Sequence, residues 1–148
     1  MKGNYIMKMS GLTRRWLDAL RSGEYNQTKG CLKNDYGFCC LGVGADVMAT
    51  SEWRKTVNDG GEYSFRKMGE TGILDHDDFD RLVPLRIQDR LSEKFHIYIS
   101  QDDLATLNDE HGFTFPMIAD VVESWWSDTP INPSLSVDRD IIKKKYKK

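Results

Sequence analysis

The sequence predicts an α+β fold: a compact single domain with three to five helices and a small antiparallel sheet. Three observations carry this expectation. Apolar residues recur at helical spacing in two windows, Leu12, Trp16 and Leu20 with Leu17 beside them, and Phe115, Ile118, Val121, Val122 and Trp125. Between these windows, residues 62–68 place Tyr63 and Phe65 at alternate positions, the period of a half-buried strand, with glycine-rich turns on both sides. The chain has 148 residues, 39% hydrophobic and 30% charged, enough to bury a real core in one soluble domain. That domain is expected over residues 1–128, followed over 129–148 by a polar linker and a basic C-terminal tail or short helix.

Taken in order, residues 1–11 read as a weakly structured lead in which Tyr5, Ile6 and Met9 could supply an edge strand. The first helix follows, with Thr13 as a candidate N-cap and Gly23 as its stop. Asn34-Asp35-Tyr36-Gly37 is turn material built from residues that tolerate left-handed backbone. Phe38 to Val43 suits a strand and residues 39–49 suit a helix, so the segment is expected to begin extended and turn helical. Gly42 and Gly44 each weaken such a helix by roughly 1 kcal/mol relative to Ala, which makes sense where another backbone comes close. Gly72, Ile73 and Leu74 can return as the second strand of a hairpin.

Asp75, Asp77, Asp78 and Asp80 with His76 among them read as a solvated loop entering a helix; a divalent metal site would need a glycine and a closing Glu that are missing. Pro84 opens a helix to about Lys94, anchored by Leu85, Ile87 and Leu91. Residues 95–99, β-branched and aromatic, predict a short strand. Ser100 is a good N-cap, with Asp102 and Asp103 in the first turn of a helix ending near Asn108. Thr114 caps the Phe115 helix, with Pro116 tolerated in its first turn. Ser136 can cap a last helix whose early Asp138 and Asp140 and late lysines suit the helix dipole.

Composition excludes several functions. No window approaches the roughly 18 apolar residues of a membrane span, and no signal peptide is visible, so a cytosolic protein without a membrane partner is expected. Cys31, Cys39 and Cys40 make a poor disulfide framework, and Cys39 and Cys40 read as reduced buried residues. There is no Cys-x-x-Cys pair, and His76, His96 and His111 lack paired spacing, so neither a metal site nor a cofactor is expected. No nucleophile elbow or phosphate loop appears, which leaves catalysis to acids alone and makes a non-enzyme the better reading.

The net charge of −2 conceals a pattern. Residues 1–33 carry seven Lys/Arg against two acids, a balance of +5; residues 34–128 carry eight against nineteen, −11; residues 129–148 carry six against two, +4. The acidic centre argues against binding extended nucleic acid. The basic ends make a local anion-binding patch if they come together in space.

Two segments resemble a family of small phage-encoded proteins of uncharacterised activity. The first is Trp-Leu-x-Ala-Leu-Arg-Ser-Gly-x-Tyr-x-Gln-x-x-Gly at 16–30 followed by Gly-Phe-Cys-Cys-Leu-Gly-Val at 37–43. The second is Leu-Ala-x-Leu-Asn-Asp at 104–109 followed by Phe-x-x-Ile-Ala-Asp-x-Val-Glu at 115–123. Residues 51–83 and the lysine tail fall outside the resemblance. It implies a viral accessory protein acting in the host cytoplasm and carries no active site with it. The polar residues of these motifs supply the candidate ligand site: Arg21, Tyr25, Gln27, Lys29, Asn108 and Asp109. An Arg and a Tyr together can clamp a phosphate and stack a base; the competing reading has Arg21, Gln27, Asn108 and Asp109 holding loops and turns. The expected function is a non-catalytic binder that sequesters a nucleotide, perhaps a cyclic immune signal, to counter bacterial defence. Its rivals are an acidic inhibitor of a host defence or regulatory protein and a small acid-dependent enzyme, and a homo-oligomer stays open.

Overall fold

The structure is a computed structural model that describes residues 8–48, 53–57, 63–69, 72–73 and 79–147, with side chains described over 8–48 and 79–147. Among the described residues there are seven helices and five short strands: α1 Gly11–Arg21, β1 Lys33–Asn34, β2 Gly37–Phe38, α2 Cys40–Met48, β3 Trp53–Val57, β4 Tyr63–Gly69, β5 Gly72–Ile73, α3 Phe79–Leu82, α4 Leu85–Phe95, α5 Gln101–Asp109, α6 Phe115–Ser124 and α7 Ser136–Tyr146. The architecture is the expected α+β fold, with more helices than the three to five anticipated. The sheet is antiparallel in the order β2-β1-β4-β3, with β5 returning along β4. Lys33 pairs with Phe65, which joins the β1–β2 hairpin to the longer β3–β4 pair.

The core forms where the two helical stripes meet. Trp16, Leu17 and Leu20 of α1 are buried with Ile118, Val121 and Val122 of α6, and with Leu104 and Leu107 of α5. Directional bonds fix how α1 sits. The Trp16 indole donates to the Cys40 carbonyl at 3.0 Å, and the buried Thr13 hydroxyl donates to the Leu82 carbonyl at 2.7 Å. Thr13 is therefore a tie to α3 and not the N-cap; Ser10 takes that place, its hydroxyl accepting from the Thr13 N–H. The Cys40, Val43 and Gly44 face of α2 is buried as its spacing predicts.

The glycines of this region stand where a second backbone passes. A Cβ on Gly42 would lie 1.8 Å from the Leu32 carbonyl oxygen, and one on Gly37 would lie 2.3 Å from that of Asn26. The segment around Gln27 runs parallel to β2, with Thr28 N–H bonded to the Phe38 carbonyl at 2.7 Å and Phe38 N–H to the Asn26 carbonyl at 2.8 Å. The 34–37 turn is held by the Asn34 side chain, which accepts from Tyr36 N–H and Gly37 N–H.

Three local expectations are corrected. Residues 95–99 are not a strand: His96 takes the left-handed conformation at φ 56°, and the Ile97 N–H turns back to the Leu91 carbonyl at 3.0 Å. This Schellman-type ending of α4 buries Ile97 and explains its apolar character without a sheet partner. Leu85 is not an anchor of α4 but stands 58% exposed. β3 was not anticipated, because its Arg54 and Lys55 give no simple alternation. The expected lead over residues 1–7 and the acidic loop over 74–78 lie outside the described residues; Asp80, inside α3, accepts from Gln88 Nε2.

Beyond residue 128 the chain continues to pack. The Trp125 indole donates to the Ile131 carbonyl at 2.8 Å, and Ile131 and Ile142 are both buried in the core. α7 lies against α6 in this way.

Candidate functional site

The six residues singled out from the sequence fall into separate clusters. Gln27 and Asn108 meet: Gln27 Nε2 donates to Asn108 Oδ1 and to the Phe113 carbonyl, both at 2.8 Å. Asn108 Nδ2 donates to the Thr28 carbonyl at 2.7 Å and to Asp109 Oδ1 at 2.9 Å. The Asn108 side chain is buried, and these bonds use both its donors and its acceptor. The cluster is a clasp that ties the loop before β1 to the end of α5. Lys29 stands exposed beside it, its carbonyl accepting from the Cys31 thiol.

Tyr25 faces another way. Its hydroxyl donates to Asp46 Oδ2 at 2.6 Å, and its ring meets Phe38 edge-on with centroids 5.0 Å apart. Burial first, and then the bond to Asp46, push the phenol up to about 12. A Tyr25 held in this way by α2 and β2 is not paired with Arg21 as a clamp.

Arg21 turns to α6 instead. Its Nη2 donates to Asp120 Oδ1 at 2.7 Å and to Glu123 Oε1 at 2.6 Å. Arg14, two turns earlier on α1, reaches Glu123 Oε2 at 3.5 Å. From the other side, Lys145 Nζ and the Tyr146 hydroxyl of α7 both donate to Asp120 Oδ2 at 2.8 Å. The two basic ends of the chain thus converge on one face of α6. Three cations and a phenol surround two carboxylates, leaving local positive charge, with exposed Arg15, Lys143 and Lys144 nearby in the same helices.

The electrostatics follow. Burial pushes the Asp120 carboxyl up, but the bonds from Lys145, Arg21 and Tyr146 outweigh it and hold the group below its ordinary value. Tyr146 is pushed up to about 12, by burial first and then by its bond to Asp120.

Arg21 alone of the expected residues belongs to this junction; Asp120, Glu123, Lys145 and Tyr146 were not singled out. A signal was present in the sequence. Asp120 and Glu123 lie three apart, on the side of α6 away from its apolar stripe, while the surplus of base sits at the two chain ends.

The cysteines offer no nucleophile. Cys39 and Cys40 are buried, and burial pushes the first thiol up to about 11 and the second well above its ordinary value, away from the reactive thiolate. No cluster of three or more metal-ligating side chains occurs among the described residues, and no helix among them is long and apolar enough to cross a membrane.

A family profile described as a domain of unknown function, DUF8296, matches residues 7–126. That span holds α1 to α6 and ends before α7. No curated protein and no solved structure matches the chain.

Proposed function

This chain belongs to the DUF8296 family, and on that footing we propose that it is a non-catalytic binding protein that holds a phosphate-bearing small molecule, a nucleotide, where α1, α6 and α7 meet. One observation carries the reading: Arg14 and Arg21 from one end of the chain and Lys145 and Tyr146 from the other gather on Asp120 and Glu123. Cations delivered by separate elements to a partly buried site are a general way of receiving an anion. The two carboxylates hold these groups in place, and an incoming phosphate interacts with the cationic surplus. Tyr146 adds an aromatic face beside the charge, and Lys145 already lies 5.7 Å from its ring centroid. The phage-type accessory role, sequestering a nucleotide immune signal in the host cytoplasm, is supported by this chemistry together with the two-motif resemblance. Release of small molecules by heat from protein exposed to bacterial nucleotide extracts, followed by mass spectrometry, tests it. An intact nucleotide is expected; a chemically altered one would turn the reading to an enzyme, and none at all would remove the ligand.

A protein-directed inhibitor is the second reading, and one feature favours it. Tyr36, 82% exposed, is presented on a turn that Asn34 holds rigid, the kind of preordered aromatic anchor that protein interfaces use. Capture of a host protein by the wild type, lost on Tyr36→Ala, is the result that would favour this reading.

A further inference from the structure

α7 has two unlike faces. The inner one is fully used: Ile142 is buried, Asp138 Oδ2 accepts from Asn132 N–H at 2.9 Å, and Lys145 and Tyr146 reach Asp120. The outer one carries Val137, Asp140, Ile141 and Lys144, spaced i, i+3, i+4, i+7 and therefore on one side of the helix. Val137 is 67% and Ile141 57% exposed, and Leu135, just before the helix, continues the apolar row. These are β-branched side chains with little rotamer freedom to lose when covered. Such a row, on a helix whose other side is already satisfied, has no folding role.

We propose that this outer face is a self-association surface, on which two copies of the chain pair antiparallel along α7, Ile141 beside its own symmetry mate and Asp140 of each copy facing Lys144 of the other. Charge decides the occupant. Along α7 the acids Asp138 and Asp140 come early and Lys143, Lys144, Lys145 and Lys147 come late. Antiparallel pairing sets acid against base at both ends and opposes the helix dipoles favourably. Parallel pairing sets like against like. An anionic surface, lipid or nucleic acid, meets repulsion from Asp140 in the middle of the apolar row, whereas a second copy uses Asp140 as a partner. The arrangement is two-fold and closes at a dimer.

In this register Val137 lies one helical turn from Ile141, about 6 Å along the axis, against the aliphatic stem of Lys144 in the other copy. The face is about 16 Å long for eleven residues. That is smaller than a standard interface, so the dimer is weak and dissociates on dilution. It does not depend on the nucleotide reading, because Lys145 and Tyr146 point the other way.

Sedimentation equilibrium of the full chain from about 10 μM to about 1 mM, a range suited to a small interface, tests the pairing. The wild type is expected to shift from monomer to dimer, and Ile141→Asp to stay monomeric. Asp140→Lys and Lys144→Asp should each weaken the dimer at least tenfold, and the double variant D140K/K144D should restore it. A wild type that stays monomeric throughout overturns the proposal. So does a dimer that survives Ile141→Asp, or a double swap that fails to rescue. Sedimentation of monomeric wild type with phosphatidylserine vesicles, lost in Ile141→Asp, would assign the face to lipid and equally overturn it.

Discussion

Alanine at Gly42 should destabilise the protein, although helix propensity alone predicts a gain. Gly42 lies inside α2, where Ala is favoured by about 1 kcal/mol. Against this, the new Cβ would stand 1.8 Å from the Leu32 oxygen and 2.7 Å from the Leu32 carbonyl carbon. These are backbone atoms that no rotamer change can move, and the same oxygen accepts from the Cys39 N–H at 3.0 Å. Forcing backbone apart in a packed core costs about 3 kcal/mol, and loss of that hydrogen bond adds about 1 kcal/mol. The net is roughly 3 kcal/mol of destabilisation after the propensity gain, or about 6–12 °C in Tm for a chain of this size. Gly11→Ala is the internal control, since its Cβ would meet only the end of the Arg15 side chain at 3.6 Å; it should leave Tm unchanged or slightly raised. Thermal unfolding followed by circular dichroism reads both. A Gly42→Ala protein that melts at or above the wild-type temperature would refute the close approach of α2 to the strand before it.

Further outcomes follow from the same contacts. Asn108→Ala strips the Thr28 carbonyl and the Gln27 amide of their buried partner and should cost roughly 2–4 kcal/mol, read as a lower urea midpoint with unchanged slope. Asp120, held below the ordinary carboxyl value, gives stability that is present above about pH 4 and is lost as pH falls through its lowered folded pKa; Asp120→Asn should flatten the acid side of the stability–pH curve. Tyr146, raised to about 12, stabilises fully below about pH 10 and less as pH climbs through its folded value, so Tyr146→Phe should remove a late step from the alkaline absorbance titration. In the native protein a thiol reagent should label the partly exposed Cys31 quickly, and Cys39 and Cys40 only on unfolding.

The helices were legible wherever an apolar stripe had to face a core: the Trp16 and Ile118 windows, the Ser100 start and the Gly42 close approach could all be read from residue types alone. The misreadings share a cause. Ile97 looks like a strand residue because burial and β-branching coincide there, yet a left-handed His96 turns the chain back, and that conformation has no strong signal in a non-glycine residue. β3 is created by pairing with β4, a partner that its own charged sequence does not announce. The candidate site was half visible for a similar reason. Asp120 and Glu123 read as the solvated side of α6, and what makes them a site is Arg21 and Lys145, about a hundred and twenty-five residues apart, arriving at the same carboxylates. Pairwise spacing within a helix can be read from sequence; convergence of chain ends cannot.

The central claim, that those converging ends receive an anionic ligand, is tested most directly by calorimetric titration with a panel of cyclic and linear nucleotides. Wild type and an Arg14→Ala/Lys145→Ala variant should be compared at low and high salt, with circular dichroism confirming that both are folded. The account predicts that the wild type binds at least one nucleotide, that affinity falls as salt rises, and that the variant loses at least tenfold. Binding that is indifferent to both substitutions, or a wild type that binds none of the panel, would contradict it.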